Sequence, residues 1–400
     1  MIPPERRRTG ARTHGRRPGP PNASAAAPAY GPAAERDTPL VCYLHIGTMK
    51  SGTTFLQQML SHHRETLAED GVLFPGRGKY VEQIMAVRDV LDMPGTVPAD
   101  RLQGAWDDLR QEIVEWPGAS SIVSVEQLSI AAARQVPAIV ESLAPAEVHV
   151  VVTARDLARV LPSTWQENVQ NGLTWTWPDF LASAMEVPGA DPVPGLRFWR
   201  QHDLVRTTQR WAKVVGAARV HLVTLPPSGA PRDLLWRRFC GVVGLDAGRY
   251  PAEGATLRSN QGLDRASAEM LRRVNAMLGD GVDRASKLRI LKRGLAKDAL
   301  VSQAQQLPIV LDPEQYAWTR RYSEQLVTDL GESGIDVVGD LRELVPPERS
   351  EVATEDMREP TETEIAEAAT AAAAALLGQL TTPHPRRRRR VSVEEQPEAT

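Results

Sequence analysis

The chain has 400 residues, 42% hydrophobic and 24% charged, enough to bury at least one sizeable core. Its formal net charge of −3 gives the body no basic character that would point to nucleic acid. No apolar run reaches the roughly 18 residues a membrane helix needs, so no membrane span is expected.

Residues 1–37 are dominated by Pro, Gly, Ala and Arg without apolar periodicity, and are expected to be mostly disordered. The arginines 6-RRR-8 precede Pro, Gly and Asn rather than a hydrophobic segment, so no secretory signal is expected and the chain reads as cytoplasmic. The first apolar run, 40-LVCYLHI-46, is followed by 47-GTMKSGTT-54 and a helical stretch in which Phe55, Leu56, Met59 and Leu60 share a face. Three further runs, 121-SIVSV-125, 147-EVHVVVT-153 and 219-RVHLVTL-225, have the same character. Near-continuous apolar strands alternating with helical segments predict an α/β fold over 38–345. It is a P-loop-like, three-layer arrangement with a central, mainly parallel sheet flanked by helices, plus helical C-terminal additions. Residues 346–400 read as a low-complexity, mostly disordered tail in which the Ala-rich run near 364–377 forms at most a transient helix. The clusters 6-RRR-8 and 386-RRRRR-390 read as solvated tails in preference to a nucleic-acid or acidic-surface contact.

Ligands of such sheets bind beyond the carboxyl ends of the strands. Lys50, Ser51, Gly52, Thr53 and Thr54 follow the first strand, Glu126 the second and Arg155 the third; Pro226 and Pro227 follow the fourth and offer no chemistry. A charge, small residues and two hydroxyls at a helix start suit a phosphate, because free backbone N–H groups and the helix dipole meet there. Each residue also has a plainer reading. The loop fits an ordinary strand-to-helix turn, Arg155 fits a surface pair with Asp156 or Glu147, and Glu126 fits a favourable acid in a first helical turn.

His45, His149 and His221 fall on predicted strands and are expected to be satisfied imidazoles rather than ligands. Adjacent His62 and His63 point different ways on a helix, and His202 with Asp203 is a weak acid/base candidate. The two cysteines, Cys42 and Cys240, lie far apart in apolar surroundings, which is neither a disulfide framework nor a thiolate metal site. No metal site is expected.

The segment 47-GTMKSGTTFLQQ-58 resembles the 5′-phosphosulfate loop of sulfotransferases that use 3′-phosphoadenosine 5′-phosphosulfate (PAPS). A second family motif, an Arg at the end of a later strand with a Ser eight residues on, is matched by Arg155 and Ser163, and 163-STWQENVQNG-172 is similar to the continuation in bacterial sulfotransferase-like proteins. The resemblance covers about residues 40–345. It implies that Lys50 stabilises the leaving group, that Ser51 to Thr54 cradle the 5′-phosphosulfate, and that Arg155 and Ser163 hold the 3′-phosphate. PAPS is then the co-substrate and no metal is needed. Glu126 follows the strand after which some relatives place a catalytic carboxylate, and the resemblance makes it the choice for the general base; typical cytosolic relatives use a histidine instead, and no histidine here stands in an equivalent place. Arg258 and Asn260, in 257-LRSNQGLD-264, are candidates for a late loop closing over the nucleotide, although Asp264 also reads as the cap of the next helix.

For the acceptor, Trp165, Trp175, Trp177, Phe180, Phe198 and Trp199 form an aromatic span that is either a satellite core or an acceptor wall. Trp165, Trp175 and Gln166 are the substrate candidates, with Glu167 and Asn168 beside them and 76-GRGKY-80 as another wall. The expected activity is sulfuryl transfer to a hydroxyl or amine of a small molecule or carbohydrate. The rivals are a P-loop kinase, disfavoured by Thr53 in the position of its loop lysine, and a non-catalytic nucleotide-binding protein of the same fold.

Overall fold

The computed structural model describes residues 39–93, 95, 97–186, 193–252, 262–287, 308–348 and 358–381. The N-terminal tail and both arginine clusters lie outside the described residues.

Six strands, all parallel, form one sheet: β1 Val41–His45, β2 Val72–Leu73, β3 Ser120–Ser124, β4 Glu147–Ala154, β5 Val220–Thr224 and β6 Asp336–Val338. Their spatial order is β2-β3-β1-β4-β5-β6. The four apolar runs of the sequence are β1, β3, β4 and β5. The two edge strands, two and three residues long, are too short to leave a pattern.

Alternation along the strands fills two cores. Cys42 and Leu44 of β1, Val148, Val150 and Val152 of β4 and Leu222 of β5 face one side. Ile122, Val151 and Val223 face the other, where Leu56, Met59 and Leu60 of helix Thr53–His62 and Trp236 and Phe239 of helix Leu234–Val243 cover them. Both sheet faces are buried, which is why these strands read as nearly unbroken apolar runs. Burial also pushes the thiols of Cys42 and Cys240 up to about 12, so both behave as small hydrophobes.

The chain leaves β1 toward β2 along one face, through helix Thr53–His62, and leaves β4 toward β5 along the other, through helix Leu204–Val215. Neighbouring strands whose connections diverge in this way open a crevice between their carboxyl ends. That crevice lies between β1 and β4.

The aromatic span forms a third core beside the sheet. Phe180 and Phe198 are fully buried and meet edge to face at 5.9 Å, a favoured aromatic geometry. Of the two readings of this span, the satellite core is the one observed. Helix Glu362–Thr381 packs on helix Arg265–Leu278 and delivers Ile365 and Ala372 into the same cluster. The alanine-rich part of the C-terminal segment is thus a packed helix in the structure, where the sequence alone reads a transient one.

Candidate functional site

The loop after β1 is stitched to the end of β4. Backbone N–H groups of Ile46 and Thr48 donate to Val151 O and Thr153 O at 2.9 and 2.7 Å. Gly47, Lys50 and Gly52 all adopt positive φ, +76°, +63° and +85°, so the backbone curls tightly. Left-handed backbone costs a non-glycine residue roughly 1–2 kcal/mol, and Lys50 carries that cost within the loop. At Gly52 a side chain is excluded as well, because a Cβ there would stand 2.6 Å from Leu235 Cδ2 and 2.8 Å from Leu225 Cδ1. Helix Thr53–His62 begins directly after Gly52 and has no side-chain cap, leaving its first turn available to an anion.

His45, at the carboxyl end of the central strand, ties three strands together. Its Nδ1 lies 2.7 Å from Ser124 Oγ of β3 and its Nε2 3.2 Å from Thr153 Oγ1 of β4. Complete burial lowers its pKa to about 3, so it is a satisfied neutral imidazole, as the strand position predicts. Ser51 joins the same knot: its hydroxyl donates to Thr48 O and lies 2.6 Å from Thr153 Oγ1. The Ser51 side chain is therefore fully buried and committed to the loop's own shape. Thr53 is also buried, whereas Thr54 is exposed.

Glu126 stands against this loop from the β3 side. Gln57, on the first turns of helix Thr53–His62, donates through Nε2 to Glu126 Oε2 at 2.9 Å and to Ser124 O at 3.3 Å. Tyr80 Oη donates to the same Ser124 carbonyl at 3.0 Å; burial and then the Glu126 carboxylate push its phenol well above the ordinary range. Gln83, fully buried, receives the N–H of Ser124 at 2.9 Å. Sequence reasoning missed Gln57 and Gln83, and had Tyr80 only as the end of the candidate wall 76-GRGKY-80. The first-helix periodicity marks Phe55, Leu56, Met59 and Leu60 but not Gln57, whose burial beside Leu56 appears only in the structure.

Arg155 follows β4 directly and shares a small gap with Thr48, near the start of the loop after β1. It also opens onto a cleft of about 1060 Å³. Arg159, Ser163 and Gln166 of helix Leu157–Gln170 line that cleft, opposite Leu263, Ile309 and Tyr316. Burial pulls the Arg155 guanidinium down to about 10, with Arg159 adding to the effect and Asp156 opposing it. Its Nε is buried without a hydrogen-bond partner. Asp156 pairs with Arg159 rather than with Arg155, accepting from Arg159 N at 3.0 Å and from its Nε, so the surface pair of Arg155 with Asp156 is not formed. Glu147 pairs with Arg219 and His149 at the far end of β4. Ser163 Oγ donates to Arg159 O at 2.9 Å, the local bond a helical serine usually makes. Arg342 adds a further guanidinium to the cleft wall, unforeseen because it follows the short strand β6.

Two substrate candidates do not reach this space. Trp165 is only 2% exposed, and its indole N–H donates to Trp175 O at 2.9 Å, so it is a core residue and not an acceptor wall. Trp175 packs half-buried against the same cluster. Gln166 does line the cleft, donating to Leu263 O at 2.6 Å. His202 and Asp203 are not a pair: Asp203 caps helix Leu204–Val215, and His202 is buried within reach of Thr164 Oγ1 at 3.1 Å. Arg258 and Asn260 lie outside the described residues. Among the described residues, no cluster of His, Cys, Asp and Glu has the arrangement of a metal site, and no helix is long and apolar enough to cross a membrane.

No protein-family model matches the chain, and no curated protein matches it. Among solved structures, a sulfotransferase from Alicyclobacillus acidocaldarius is similar over 62% of this chain and 94% of its own, with 14% sequence identity and a TM-score of 0.37.

Proposed function

We propose that the chain transfers a sulfuryl group from PAPS to a hydroxyl or amine of a small-molecule or carbohydrate acceptor. The observation that supports this reading is that Thr48, in the loop after β1, and Arg155, after β4, border one gap, while Ser163 lines the same cleft as Arg155. Two features fit an anionic nucleotide: the uncapped helix start after Gly52, and the buried Arg155 Nε that lacks a partner.

When bound, PAPS supplies an activated sulfuryl group on its 5′-phosphate. The residues of this chain supply position and charge. Backbone N–H groups of Ser51 to Thr54 and the Thr54 hydroxyl hold the 5′ end; the buried Ser51 hydroxyl shapes the loop instead. Lys50 neutralises charge growing on the leaving oxygen. Arg155 and Ser163 take the 3′-phosphate, a group that ATP lacks, through the planar guanidinium and a hydroxyl. Glu126, held by Gln57, accepts the acceptor's proton.

Titration calorimetry with 3′,5′-bisphosphoadenosine and with ATP tests the nucleotide. The bisphosphate is expected to bind more tightly, and tighter ATP binding overturns the reading in favour of a kinase-like protein. Transfer of radiolabelled sulfate from PAPS to a broad acceptor panel tests turnover. Unchanged transfer by Glu126→Gln removes Glu126 from the base role.

A further inference from the structure

The lysine of the loop already has an anionic partner. Lys50 Nζ lies 3.3 Å from Glu167 Oε2, and each side chain is about one-third exposed, at 32% and 31%. Glu167 belongs to helix Leu157–Gln170, the helix that presents Ser163 and Gln166 to the cleft. The ion pair therefore spans the crevice, joining the loop after β1 to the helix after β4.

Its surroundings favour a pair that can open. The Lys50 backbone is fixed in the left-handed region between two left-handed glycines, so the flexible part is the four-carbon side chain. Beside the pair, His202 is buried and hydrogen-bonded to Thr164 at 3.1 Å. Burial brings its imidazole down to about 3, with Glu167 opposing and Lys50 reinforcing the shift. Near neutral pH His202 thus brings no charge to Glu167, and the Lys50 ammonium stands at ion-pair distance from the carboxylate. An ammonium group is a compact point charge, and a phosphate reaching the loop competes with the carboxylate for it.

We infer that Glu167 is a latch on Lys50, holding the leaving-group lysine on the helix wall until an anionic donor takes it over. The inference rests on the sulfotransferase reading for the identity of that donor. Glu167 is a positioning residue, acting on the reaction through Lys50. Donor binding is then coupled to rupture of the pair, so Glu167 lowers donor affinity and keeps Lys50 engaged when the crevice holds no donor.

The test is a double-mutant cycle read by calorimetry with 3′,5′-bisphosphoadenosine, using Glu167→Gln, Lys50→Ala and the double variant of the full chain. With Lys50 present, Glu167→Gln is expected to tighten binding about two- to fivefold, the scale of a partly exposed ion pair. With Lys50 replaced by alanine, the gain is expected to shrink. Equal gains in both backgrounds show that the carboxylate acts only through its field and overturn the latch, as does the absence of any gain. If the wild-type protein binds ATP and not the bisphosphate, the sulfotransferase reading falls and takes the donor latch with it. If it binds the bisphosphate and the cycle shows no coupling, the latch alone falls.

Discussion

Gly47 and Glu126 touch across the mouths of two neighbouring strands: a β-carbon on Gly47 would stand 2.9 Å from Cβ of Glu126 and 3.3 Å from Thr53 Cγ2. The loop after β1 and the carboxylate after β3 are therefore one packed unit. A glycine is required at 47 for its φ of +76° and for this approach together.

Gly47→Ala is expected to lose stability on both counts, about 1–2 kcal/mol from backbone strain and a further loss from the contact. Gly104→Ala is the control, since its φ is +83° but nothing lies within 4 Å of the added carbon. Urea unfolding of the two variants separates the contributions. A Gly47 variant no less stable than the Gly104 variant would falsify the close approach.

Arg155 supports a prediction in which binding and stability part company. Its guanidinium is largely desolvated, and its buried Nε has no partner. A polar group held that way detracts from the fold unless a ligand satisfies it. Arg155→Ala is expected to match or exceed the wild type in thermal stability while losing at least about tenfold in affinity for 3′,5′-bisphosphoadenosine, the scale of charge-assisted hydrogen bonds. Arg155→Lys retains a charge without the planar donors and should recover only part of that affinity. A strongly destabilised alanine variant would show that the side chain serves the fold rather than the crevice.

Acid sensitivity follows from the two buried imidazoles. His45 and His202 fall from an ordinary 6.5 to about 3, each chiefly through burial. Above pH 6.5 both are neutral in folded and unfolded chains and add no pH dependence. As pH falls below 6.5 the unfolded chain takes up protons that the folded chain refuses, so stability drops continuously toward pH 3. Each histidine adds a slope of up to about 1.4 kcal/mol per pH unit in that window. Urea unfolding from pH 7 to pH 4.5 measures the slope for the wild type and for His202→Gln. The variant should show a shallower slope by about one proton; an identical slope would mean that His202 titrates normally in the folded protein.

The legible parts of this molecule were those written in local pattern. The four interior strands were visible because both of their faces are buried, which makes 40–46 and 147–153 continuous apolar runs. Their carboxyl ends were visible because charged or small residues interrupt those runs, and Lys50, Glu126 and Arg155 do lie around neighbouring strand ends. The ties among them were not legible. His45 reaches Ser124 and Thr153 across 79 and 108 residues of chain, and nothing local in the sequence marks such a bridge. Lys50 and Glu167 likewise meet only because β1 and β4 are neighbours. Trp165 was ambiguous for a different reason: a tryptophan suits a core and a ligand wall equally well, and only its burial decides.

The C-terminal helix shows the same gap between composition and packing, and it can be tested by truncation. Read as composition, 364–377 is an alanine-rich segment with good helix propensity and little to bury. In the structure, Ile365, Ala368, Ala372 and Leu376 recur at spacings of three and four along Glu362–Thr381 and face the aromatic cluster. At the start of the helix, Glu362 forms a two-point ion pair with Arg273, with both bonds at 2.8 Å. The pair is largely exposed and contributes little, so the apolar stripe is what should hold the helix in place. Ending the chain at Pro360 is therefore expected to lower the melting temperature by several degrees and to bare the cluster around Met270 and Leu271. Hydrogen exchange along Arg265–Leu278 should rise in the truncated chain, whereas β1 and β4 should keep their protection. Glu362→Gln, which weakens the ion pair and leaves the stripe intact, should change the melting temperature little. A truncated chain that melts with the full-length protein would show that the helix has no stabilising contact with the body.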